Sequence, residues 1–135
     1  MLTRRNRLTS SRLFSRTVRR GRRAGAATVV LHLDVDAGVT EPQVGLVVGK
    51  AVGPAVTRNL VKRRLRHLSR ERVDSLPASA VLVVRALPAS AGASYTALGS
   101  DLDRALQRLL VGRSQPTGRS RARSSNATAS GDVTA

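Results

Sequence analysis

The chain has 135 residues, with 24 lysines and arginines against 8 acids for a formal net charge of +16, one Phe, one Tyr, no Trp and no Cys. That length suits one domain with a modest core, which Val, Leu and Ala must fill because large aromatic side chains are nearly missing. The missing thiols exclude disulfides and cysteine metal sites, no apolar run approaches the ~20 residues that span a bilayer, and the uncompensated charge points to a polyanionic partner.

Residues 1–9 read as a flexible basic arm: Arg4, Arg5 and Arg7 are followed by no apolar stretch of the kind a secretory signal carries. A short helix is predicted over Ser10–Arg20, capped by Ser10 or Ser11 and ended by Gly21, with Phe14 and Val18 four residues apart on one face. Arg22 to Gly25 reads as a basic turn. Thr28–Asp36 then alternates as a strand, placing Val29, Leu31, Leu33 and Val35 on a core face and Val30, His32 and Asp34 on a partly open one.

After a loop, Val44–Val48 is a continuous apolar run that suits a buried strand. Gly53-Pro54 signals a helix start with Pro54 at the first helical position, and the helix extends to Arg72. Pro77 breaks the chain before a third strand, Ala80–Arg85. A last amphipathic helix, Ser94 to Leu110, is apolar through Tyr95, Leu98, Leu102, Leu106 and Leu109. The domain thus covers residues 10–111, and residues 112–135 have the Arg, Ser and Ala composition of a disordered tail. The order is α-β-β-α-β-α, and its strand–helix–strand unit requires two parallel strands joined by a crossover.

The helix after Pro54 carries the strongest signal. At about 100° per residue, Arg58, Lys62, Arg66 and Arg70 step along one side with Asn59 and Arg63 beside them. Val61, Leu65 and Leu68 occupy another side, and Arg64 falls near that apolar sector, where it must snorkel or pair. No acid occurs between Pro42 and Arg70, so the cationic face is unbroken, and a single-sign face suits a nucleic-acid backbone better than water alone. Gly45 and Gly49 share a strand face with Val47, which allows a close approach either by RNA or by the chain's own packing.

Protein-borne nuclease chemistry has thin support. His32, Asp34 and Asp36 alternate on one strand face and could hold a metal in principle, but strand-end acids leading into a turn are far commoner. With His67 as the only other histidine, no arrangement of general acid and base is recognisable.

The segment Gly45-Leu-Val-Val-Gly-Lys50, continued by Val52-Gly-Pro-Ala-Val-Thr-Arg58-Asn59-Leu-Val-Lys62-Arg63, resembles the signature of the bacterial ribonuclease P protein. The likeness extends upstream to Arg7-Leu8, Phe14, Val18 and Gly21 and covers roughly residues 5–110. It implies an α/β sandwich with a left-handed βαβ crossover, an exception to the usual hand, as in the second domain of a small-subunit ribosomal protein. It also implies the protein subunit of the ribonucleoprotein that removes the 5′ leader from precursor tRNA. In that reading the RNA subunit, with Mg²⁺, performs the hydrolysis and the protein supplies no catalytic residue and binds no cofactor.

By position in the motif, Lys50, Arg58, Asn59, Lys62, Arg63 and Arg66 would contact RNA, and Phe14, Val18 and His32 would line a leader cleft. The partners implied are one ribonuclease P RNA per chain and precursor tRNA, in the cytoplasm, with no membrane and no obligate protein partner. The chain departs from the pattern at Ala51, where a second Lys is usual, at His67, where an acid or amide is common, and at Val18 and His32, where aromatics are common. A structural protein of ribosomal type shares the charge but needs no leader cleft; it is the alternative.

Overall fold

A computed structural model describes residues 4–114. The elements are α1 (Ser11–Arg20), β1 (Arg22–Gly25), β2 (Val29–Asp34), β3 (Gln43–Val47), α2 (Ala55–Arg72), β4 (Val81–Ala86) and α3 (Tyr95–Ser114), with short 3₁₀ turns at Arg4–Asn6, Lys50–Val52, Val73–Ser75 and Pro88–Gly92. The strands form one sheet in the order β1-β2-β4-β3. β2 runs antiparallel to both β1 and β4, while β3 and β4 are parallel and joined through α2. The expected mixed α/β fold and parallel strand–helix–strand unit are therefore present.

Register decides which side chains share a face. Leu31 pairs with Val84, Leu33 with Leu82 and Val44 with Leu82, so these residues project to one side. There they meet Val61, Leu65 and Leu68 of α2 and Leu98, Leu102, Leu106 and Leu109 of α3, all buried in a single cluster. Each such side chain contributes about 1.5–3 kcal/mol of burial, and Leu and Val do the work that aromatics do in most domains. On the other face α1 packs against β2 and β4. The molecule is layered as α1, sheet, then α2 with α3.

Local signals account for the helix ends. Ser10 caps α1 by accepting from the Leu13 N–H at 3.2 Å, and Gly21 closes it with its N–H on the Thr17 carbonyl. Ser94 plays the same part before α3, its hydroxyl accepting from the Ala97 N–H. Pro54 is the N-cap of α2 rather than its first helical residue.

Other expectations are corrected too. Arg22–Gly25 is a strand, not a basic turn, because its backbone pairs with residues 30–33 of β2. The second face of β2 is not open: α1 covers it, and every residue of the strand is buried. Tyr95 stands at the first position of α3 and is 42% exposed, so the apolar stripe begins at Leu98.

Finally, the basic segment before α1 is held against the sheet edge from Arg5 onwards. Arg5 pairs with Glu41, Asn6 donates to the Pro42 carbonyl at 2.8 Å, and the Leu8 N–H donates to the Val44 carbonyl at 2.9 Å. The Leu8 side chain fills the space above Gly45: a Cβ there would sit 2.8 Å from Leu8 Cδ2. The close approach at Gly45 is thus made by the chain itself, whereas Gly49 has open space around it. Residues 115–135, most of the expected tail, lie outside the described residues.

Candidate RNA interface

Two surfaces collect the residues singled out in the sequence. The first is the outer face of α2. Val61, Leu65 and Leu68 anchor the helix, which turns Lys62, Arg63 and Arg70 outward. Lys50, just before the helix, and Asn59 are exposed as well, while Arg58 and Arg66 are half-buried. Among the described residues, the side chains of Lys50, Lys62, Arg63, Arg66 and Arg70 make no hydrogen bond or ion pair.

The ion pairs lie elsewhere: Arg5–Glu41, Arg16–Asp34, Arg72 with Glu71 and Asp103, and Arg104–Asp101. A cationic stripe with no described acid paired to its side chains keeps its field available to an outside anion.

Not every cation on α2 belongs to that stripe. Arg58 reaches back, its Nε donating to the Gly53 carbonyl at 3.1 Å, which ties the helix to the turn before it. Arg64 donates from Nη1 to the Ala93 carbonyl at 3.1 Å, resolving its awkward place beside the apolar sector. Arg72 grips Asp103 of α3 through two nitrogens and also donates to the Leu68 carbonyl. The guanidinium of Arg72 holds the Asp103 carboxyl below the usual carboxylate range, its hydrogen bond being the largest cause.

The second surface is the junction of α1 with the sheet. Phe14 and Val18 are half-buried on α1, and between them Thr17 is fully buried against the sheet. His32 lies in the same layer, on the face of β2 opposite Leu31 and Leu33, and is 5% exposed. Burial first, then the charges of Arg23 and Arg85, push its pKa below the ordinary histidine value.

Asp34 is committed to the fold. Its Oδ1 accepts from the Asp36 N–H at 3.0 Å and its Oδ2 lies 3.0 Å from Arg16 Nε, which is the strand-end turn anticipated for these acids. No group of three metal-ligating side chains occurs among the described residues. No helix among them is long and apolar enough to cross a membrane.

Arg23 and Arg85 escaped the sequence reading. Both project to the His32 side: Arg23 pairs directly with His32, and Arg85 pairs with Val30. Alternation through Val81, Val83 and Arg85 was the available signal for one of them. Arg23 offered none, because its strand was read as a turn.

A basic helix with free cations beside a strand–helix–strand core has counterparts among known proteins. The family model for ribonuclease P matches residues 2–110. The chain belongs to the ribonuclease P protein family. It is 57% identical over 111 residues to the ribonuclease P protein component of a Nocardioides species, covering 81% of this chain and 95% of that one. With the component from Streptomyces griseus it shares 52% over 120 residues, covering 83% and 98%.

Solved ribonuclease P proteins carry the same fold. That of Thermotoga maritima superposes with a TM-score of 0.65 at 23% identity over 76% of this chain and 96% of its own. That of Staphylococcus aureus gives 0.67 at 21% identity over 81% and 93%. As a ribonuclease P protein component, the chain is a subunit of the ribonucleoprotein that removes the 5′ leader from precursor tRNA.

Proposed function

We propose that the chain docks on ribonuclease P RNA through the outer face of α2, with Lys50, Arg58, Asn59, Lys62, Arg63 and Arg66 as its contacts. The observation that carries this reading is the run of unpaired cations along α2. Phosphates brought against that stripe release condensed counterions, and Arg forks add directional bonds to phosphate oxygens. Arg58 contributes while keeping Nε on Gly53, through the rest of its guanidinium.

The edge of the junction of α1 with the sheet receives the single-stranded leader of precursor tRNA, with the half-buried Phe14 offering a ring for base stacking, Val18 beside it and His32 forming the buried floor of the cleft. Hydrolysis belongs to the RNA subunit and its Mg²⁺. The protein's part is to reduce repulsion between two polyanions and to fix the leader, acting in the cytoplasm as one copy per RNA. No described residue needs to serve as acid, base or metal ligand in this scheme.

Reconstitution tests it. Adding the protein to ribonuclease P RNA at low Mg²⁺ should restore leader removal, and the protein alone should leave precursor tRNA intact. Absence of rescue, or cleavage by the protein alone, contradicts the proposal.

A further inference from the structure

The layer between α1 and the sheet holds several buried polar atoms. Thr17 Oγ1 and both ring nitrogens of His32 are buried with no hydrogen-bond partner among the described residues. An unmet buried polar group destabilises the fold, so an imidazole kept there at 5% exposure calls for a use.

The surroundings indicate which. His32 is paired laterally with Arg23 on β1 and Val83 on β4, and Arg85 stands one same-face position further along β4, opposite Val30. Both arginines are exposed, and neither side chain makes a hydrogen bond or ion pair among the described residues. Strand spacing sets their Cα atoms about 12 Å apart, within reach of two guanidinium arms on successive phosphates of one strand.

The charged groups facing the imidazole are these two arginines, Asp34 from β2 itself, and Arg16 from α1. Asp34 is already matched by Arg16 at 3.0 Å. Burial first, and then the remaining positive field, disfavour the charged ring in the free protein.

We infer that this chain's hold on leader RNA is proton-linked: phosphates seated between Arg23 and Arg85 draw a proton onto His32, so the leader binds more tightly as pH falls. The inference rests on the leader reading above. A phosphodiester cancels the guanidinium field over the buried ring, and that change favours the charged imidazole. The complex therefore holds a proton on His32 to higher pH than the free protein does. Affinity climbs as pH drops through the bound-state value and levels off below the free-state value, by at most about tenfold per pH unit for one proton. A phenylalanine at this position would stack on a base but could take up no proton.

The test is equilibrium binding of leader-bearing and mature tRNA to the reconstituted ribonucleoprotein between about pH 5.5 and 8, using substrate blocked at the scissile phosphodiester. Preference for the leader should grow several-fold on acidification and become flat in His32→Phe and His32→Gln. A leader preference that is present but invariant with pH overturns the inference and leaves the leader reading standing. Equal binding of the two tRNAs at every pH removes the leader reading itself.

A check without substitution is available because the chain has two histidines. In imidazole NMR of the wild-type protein, His32 should titrate at higher pH when single-stranded leader RNA is added. An unchanged titration overturns the proposal.

Discussion

Arg58 and Lys62 sit one turn apart on α2, yet only one of them is tied to the fold. The Arg58 bond to the Gly53 carbonyl makes it partly structural. Arg58→Ala should lose about 0.5–1.5 kcal/mol of stability in a denaturant melt, whereas Lys62→Ala should stay within about 0.5 kcal/mol of wild type. Phe14 belongs to the other surface. Phe14→Ala should weaken leader-bearing tRNA by about 1–3 kcal/mol, the usual worth of one stacked base, and leave mature tRNA unaffected in the same binding assay. The stripe on α2 was legible in the sequence because helical geometry turns spacing directly into a face. Arg23 and Arg85 were not, because their convergence on His32 depends on the pairing of β1, β2 and β4, which no local pattern encodes.

At the scale of elements, the approach of α1 to the sheet is set at Gly21. A Cβ there would lie 2.5 Å from the Thr17 carbonyl oxygen and 2.8 Å from that of Leu33, both backbone atoms that cannot step aside. Gly21→Ala should therefore destabilise by about 1–3 kcal/mol, measured by thermal unfolding, and more than Gly45→Ala, where the Leu8 side chain rather than backbone must move.

The seam between α2 and α3 is ionic. Because Arg72 depresses the Asp103 carboxyl relative to the unfolded chain, its stabilisation is present above the unfolded value near 3.9 and is lost as pH falls through the lower folded value. Asp103→Asn should flatten that part of an acid-unfolding profile. Asp103 is largely exposed, so added salt should shrink the difference.

The helices and the three apolar strands were readable to within a residue or two, since each announces itself by period, cap or breaker, except that α3 runs four residues past the expected end at Leu110. β1 was hidden because Arg-Arg-Ala-Gly has little strand propensity of its own and is ordered by pairing with β2. Residues 4–8 were hidden for a related reason: their partners, Glu41 to Gly45, lie some 36 positions away.

The whole molecule divides its work by face. A core of Leu and Val between the sheet and α2 with α3 supplies the stability, and because α2 belongs to that core, its outer cations ride on a rigid support. Arginine and lysine held this way present a preformed electrostatic surface, and the net charge of +16 that opposes compaction in isolation is offset once RNA is bound. The direct test is the salt dependence of binding to ribonuclease P RNA, comparing wild type with the double variant Lys62→Ala/Arg63→Ala. Two lost phosphate contacts should lower the slope of log K against log salt by about two units, with unfolding unchanged. An unaltered slope in a folded double variant would mean that the outer face of α2 does not meet the RNA.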